Sequence, residues 1–242
     1  MKPLAFLAAL ALFAAAGCAH ALGGMADLEV RDGASGRILP VYWHEGRAYV
    51  AGQPGSEYRL VLRNRRGGDL LAVVSVDGVN VLTGETASAG QGGYVLSGPR
   101  GMEIAGWRKS LDQVAAFYFT PLGDSYAART GRPANVGVIG VALFERARPP
   151  RAALEDAAAG LRAKAQSSNE ARAAPSAPLG TGHGRREDSP VRYVDFERAT
   201  SSAAETITLY YDSYPNLVAL GVIAAPHDRR PDPFPGFVPD PA

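Results

Sequence analysis

Hydrophobic and polar positions follow three regimes along the chain. Residues 4–16 are an unbroken apolar run of Leu, Ala and Phe, preceded by Lys2. From residue 27 to residue 148 apolar positions alternate with a period of two, and turn residues recur at roughly 8 to 12 positions, the pattern of an all-β sandwich or barrel. Residues 151–174 are rich in Ala, Arg and Glu, and Ala152, Leu154, Ala157, Ala158 and Leu161 mark one helical face. Short β-like segments return after residue 180, and a Pro-rich stretch closes the chain.

Within the second regime, 38–42 and 47–50 read as strands around His44-Glu45-Gly46. Tyr58, Leu60 and Leu62 alternate with Arg59, Val61 and Arg63, so that strand shows one face to water. The continuous apolar runs 70–76, 114–120 and 136–144 read as interior strands. Asp77-Gly78, between Val76 and Val79, is the strongest short hairpin signal, because both residues tolerate positive φ. The return strand is placed at 79–82, further strands at 94–97 and 102–107, and a helical turn at 124–129 with Asp124 as its N-cap. Beyond the helical insertion, Gly180-Thr181-Gly182-His183-Gly184 reads as a glycine-rich joint. Residues 191–196, 206–211 and 217–224 read as strands.

The expected fold class is mainly β: a β-sandwich-like domain over residues 25–148, a helix and Pro-containing linker over 149–179, and a C-terminal β segment over 180–225. That segment either pairs with the main sheets or forms a small lobe packed on them. Residues 226–242 read as a Pro-rich tail with little to bury.

The first regime sets the expected location. A positive start, an apolar run near a dozen residues and the small-residue end Ala19-His20-Ala21 form a secretory signal. The run is shorter than the roughly 20 residues a membrane span needs. Two processing routes stay open. Cleavage after Ala21 releases a soluble periplasmic or secreted protein beginning at Leu22. The sole cysteine, Cys18, follows Ala15-Ala16-Gly17 and suits a lipobox, in which case it carries a lipid and anchors the chain to the membrane.

Charge excludes some partners. The whole chain carries +1, so nothing in its balance favours nucleic acid or an anionic membrane surface. Arg63, Arg65 and Arg66 read as an exposed turn.

Three stretches, 71–84, 125–141 and 180–187, together resemble a family of exported proteobacterial proteins. The resemblance covers most of the chain after the signal. It implies an envelope location and no particular chemistry.

Candidate chemistry is sparse. His44, His183 and His227 stand in separate segments with no second histidine or cysteine at ligand spacing, so no metal and no cofactor are expected. There is no Gly-x-Ser-x-Gly elbow; Ser125 beside Asp124 has only His183 as a base. The 180–184 loop with Arg185 and Arg186 offers backbone N–H groups to an anion, or serves as a joint. The best binding candidate is Trp107, Arg108 and Lys109 at a strand end, with Tyr126 and Arg129 on the helical turn and Arg132 nearby, because Trp, Tyr and Arg carry most interface energy. These residues converge only if the loop 121–126 folds back along the sheet. The favoured function is a non-catalytic binding module for an envelope protein or glycan. An envelope hydrolase of glycan or peptide, and an accessory part of a secretion or surface assembly, remain as alternatives.

Overall fold

A computed structural model describes residues 22–99, 101–147 and 178–225. The signal region with Cys18, most of the expected helical insertion and the Pro-rich tail lie outside these residues. Thirteen strands follow in chain order: β1 (Ala26–Asp32), β2 (Val41–His44), β3 (Arg47–Gly52), β4 (Glu57–Asn64), β5 (Leu70–Val76), β6 (Val79–Asn80), β7 (Tyr94–Leu96), β8 (Gly101–Ile104), β9 (Gly106–Arg108), β10 (Gln113–Pro121), β11 (Val138–Glu145), β12 (Leu179–Asp188) and β13 (Glu205–Ser213). Two short helices, α1 (Tyr126–Arg129) and α2 (Tyr214–Ala219), interrupt them.

The strands form two sheets. The first runs β1-β4-β10-β12; β8 adds to β4 and β9 to β10. The second runs β2-β3-β13-β11-β5-β6, with β7 on β5. The protein is therefore mainly β and sandwich-like. Inward residues of both sheets, among them Leu28, Leu60, Phe117 and Phe119 from the first and Val50, Val74, Val141 and Leu209 from the second, share one core. The apolar runs at 70–76, 114–120 and 136–144 supply β5, β10 and β11, each flanked on both edges. β12 pairs with β10, and β13 lies between β3 and β11, so the chain after residue 178 contributes to both sheets.

Strands β4 and β10 touch only at Tyr58↔Phe117 and Tyr118↔Glu57. Residues 101–108 fill the wedge where they diverge. Gly101–Ile104 pairs with β4 and Gly106–Arg108 with β10, with a break at Ala105. Glycine is needed at Gly106: a Cβ there would stand 2.1 Å from the Ala115 carbonyl oxygen.

Several local expectations are corrected. Residues 180–184 are not a loop but the start of β12. Their glycines mark close approach within a strand, since a Cβ on Gly182 would lie 2.2 Å from Cζ of Tyr118. The stretch 191–196 forms no strand; Phe196 instead covers Leu71, Val73 and Phe144 on the outer face of the second sheet, with the Arg146 guanidinium 4.5 Å over its ring. Residues 214–219 are helical rather than extended. Ser213 accepts from the Asn216 N–H and Pro215 sits in the first turn, and these start signals outweigh the β-branched residues that follow. The N-cap of α1 is Ser125, which accepts from the Ala128 N–H at 3.1 Å, and not Asp124. The return strand β6 ends at Asn80, whose side-chain oxygen accepts from the Leu82 and Thr83 N–H groups and turns the chain.

At the hairpin itself, Asp77 (φ +52°) and Gly78 (φ +72°) are both left-handed, and Val76 pairs directly with Val79. A Cβ on Gly78 would also lie 2.7 Å from Cβ of Asn135. Gly78→Val is expected to cost about 2 kcal/mol through φ strain alone and to lower Tm by roughly 4–8 °C, read by thermal unfolding. An unchanged Tm would contradict this turn.

Candidate functional site

The loop after β10 folds back. The Leu122 N–H donates to the Pro178 carbonyl and the Ser125 N–H to that of Leu122, which turns α1 onto the sheet. Tyr126 thereby reaches Trp107, with ring centroids 4.9 Å apart. Trp107 itself is not the exposed platform the sequence suggested. In register with Ala115 it points into the core and is 2% exposed. Its indole N–H donates to the Gly182 carbonyl at 3.1 Å and its ring meets Phe117 edge-on at 5.2 Å. Arg108 is half-buried and likewise structural: its guanidinium donates to the Ser189 carbonyl, to Ser189 Oγ at 3.2 Å and to the Tyr94 hydroxyl at 3.4 Å. Arg132 donates to the Gly84 carbonyl.

What reaches water is a different subset. Lys109 follows β9, and its Nζ lies 5.5 Å from the Tyr126 ring centroid. The Tyr126 ring also meets the imidazole of His183, on β12, at 5.6 Å. Arg129 from α1 and Arg186 from β12 are close enough to act on that imidazole electrostatically. Lys109, His183, Arg129 and Arg186 are all exposed. Among the described residues none of Lys109, Arg129 and Arg186 forms an ion pair, whereas neighbouring Arg59 pairs with Glu103 and Glu187, and Arg185 with Glu57. Partial burial and then Lys109 push the His183 pKa below its ordinary value; burial and then Arg186 push Lys109 down. Three uncompensated cations thus crowd one imidazole beside one aromatic ring. That arrangement lacks an anion and offers donors to one, a carboxylate above all.

His183 and Arg186 were not in the sequence-derived cluster, because the glycines around His183 read as a loop. The usable signal was the period-two alternation of glycine with Thr181, His183 and Arg185 after Leu179, which fits a strand as well as a hinge.

A second polar cluster is buried. The Asp77 carboxylate accepts from the Thr181 N–H at 2.7 Å, the Gly137 N–H at 2.9 Å and the Tyr211 hydroxyl. Thr181 Oγ1 bonds the hydroxyls of Tyr211 and Tyr58, each at 2.6 Å. Burial pushes the Asp77 carboxyl up to about 6 against the pull of its three donors, and burial and then the Asp77 charge push both tyrosines well up. Asp77, Thr181, Tyr58 and Tyr211 are all at most 3% exposed, so no substrate reaches them and the cluster acts as a brace between sheets. Among the described residues no three of His, Cys, Asp and Glu come together in a way that would hold a metal ion.

The electrostatic reading of the surface has a direct check. Lys109→Gln removes a cation facing His183 and is expected to raise the His183 pKa toward the ordinary value of about 6.5, followed by NMR titration of the imidazole. An unmoved titration would show that Lys109 does not act on it.

In comparisons with known proteins, no family model, no curated protein and no solved structure matches the chain.

Proposed function

We propose that this chain is a non-catalytic binding module of the cell envelope whose surface of Lys109, Tyr126, Arg129, His183 and Arg186 holds a carboxylate-bearing glycan. The observation that supports the reading is the unpaired state of three converging cations around an aromatic pair, among the described residues, on a protein whose other arginines nearby are paired. A uronate-type sugar presents a carboxylate to the cations and ring hydroxyls to the exposed His183 imidazole beside them. An acidic protein patch satisfies the cations but leaves that imidazole without a partner. Each charge-assisted bond at such an exposed site is worth on the order of 1 kcal/mol, so affinity is modest and falls with salt.

Export through residues 1–21 places this module outside the cytoplasm. It accords with that reading that Leu22 is already a core residue, 4% exposed, and that its carbonyl accepts from the Leu28 N–H: processing after Ala21 leaves these contacts intact. Among the described residues no helix is long and apolar enough to cross a membrane. Intact-mass analysis of the envelope fraction is expected to give a chain starting at Leu22, or at a lipidated Cys18; unprocessed chain in the cytoplasm would overturn the location.

The binding test uses polygalacturonate oligomers and calorimetry at low salt. Lys109→Glu with Arg129→Glu is expected to weaken binding at least tenfold, about 1.4 kcal/mol, without lowering Tm, because both side chains stand in water. Binding of acidic peptides but not of the uronate oligomers, or equal binding by the double variant, would contradict the proposal.

A further inference from the structure

The second sheet opens where β3 and β13 part. These strands run parallel and pair only over Tyr49–Gly52 and Tyr210–Ser213. Toward Arg47 and Glu205 they diverge, and a groove of about 360 Å³ lies between them, floored by Leu22, Ala48 and Ile207. Its size falls at the lower end of small-molecule clefts, about 300–1,000 Å³.

The walls combine two chemistries. Trp43, on the edge strand β2, is 52% exposed although its partner across the hairpin, Ala48, is buried. It contrasts with Trp107, the other tryptophan of the chain, at 2%. Tyr210 stands on the opposite side, in a cross-strand row with Tyr49 and Tyr42. Thr206 and Thr208, two residues apart on β13, are both exposed on the outer face of that strand, the face of Tyr210 and Tyr49. Charge is balanced. Arg47 lies over the Tyr210 ring at 5.7 Å. The Glu205 carboxylate is already engaged, accepting from the Gly24 and Met25 N–H groups at 2.6 Å each.

We propose that this groove binds a neutral saccharide unit, with its C–H face on Trp43 and its hydroxyls bonded by Thr206, Thr208 and Arg47. A sugar ring has one face of weakly positive C–H groups, which suits the negative face of an indole, and a rim of hydroxyls, which suits hydroxyl and guanidinium partners. An all-apolar ligand leaves Thr206, Thr208 and Arg47 unused, and the acidic group of the lining, Glu205, is already held by the Gly24 and Met25 N–H groups. The site lies on the sheet opposite the basic surface and is independent of it.

Because the two tryptophans differ so widely in exposure, Trp43 reports on the groove. Full-length processed protein is titrated with cello-, malto-, manno- and chito-oligosaccharides while tryptophan emission is followed. At least one series is expected to change the emission saturably. Trp43→Phe is expected to abolish that change, and Trp43→Ala to weaken binding at least tenfold by calorimetry with Tm unchanged. The Lys109→Glu, Arg129→Glu variant is expected to bind these neutral probes as the parent does. No saturable response to any series, undiminished binding by Trp43→Ala, or loss of binding in the basic-surface variant would each overturn the proposal. Uronate binding that survives Trp43→Ala leaves the basic surface standing while this groove fails.

Discussion

The interaction on which the rest depends is the buried carboxylate of Asp77. It leaves the end of β5 in the second sheet and takes the backbone N–H of Thr181 on β12, at the far edge of the first. Tyr211 on β13 and Tyr58 on β4 complete the bridge through the Thr181 hydroxyl. Apolar packing between two sheets has no direction, and sheets slide over one another at small cost; fixed donors and acceptors between them set a register. An unpaired carboxylate in this core would cost several kcal/mol, so the three donors to Asp77 are obligatory partners. The brace also fixes Gly137, whose carbonyl in turn accepts from the Tyr211 N–H, and so sets where β11 begins.

Both proposed surfaces follow from this placement. β12, tied by Thr181 to Asp77, carries His183 and Arg186 past α1. Gly180 and Gly182 permit the approach, one against Ser125 and Val136 and the other against the Tyr118 ring. The Trp107 indole, bonded to the Gly182 carbonyl, then supports Tyr126 from below. β13, tied by Tyr211, pairs with β11 over Glu205–Tyr210 and with β3 only over Tyr210–Ser213, and the groove beside Trp43 is the remainder.

The fold class was legible because inward residues recur with a period of two, as in Tyr58, Leu60 and Leu62, although Val61 between them is buried as well, and because Asp77-Gly78 specifies a turn through its own backbone. What escaped was whatever depends on partners distant in the chain. Gly180 and Gly182 look like loop residues until Ser125 and Tyr118 are known to stand beside them. Ser213 with Pro215 starts a helix that the β-branched residues behind it disguise. Trp107 and Arg108 were read as exposed from a strand end; alternation and the Gly182 carbonyl turn the one inward, and Ser189 holds the other. Asp77 was read for its φ alone, and nothing local announces that its carboxylate meets Thr181, more than a hundred residues on.

The most direct measurement is unfolding free energy against pH for the parent and for Asp77→Asn. A folded carboxyl raised to about 6 from an ordinary 3.8 binds its proton more tightly than the unfolded chain does. Its contribution is therefore full well below pH 4 and is lost as pH rises through about 6, a loss of about 3 kcal/mol in all. Groups common to both proteins cancel in the difference. The account predicts that the parent's stability falls, relative to the variant, by about that amount between about pH 3 and pH 7 and is level above; a difference that is flat, or that rises with pH, would contradict an Asp77 carboxyl whose titration is governed by burial between the sheets.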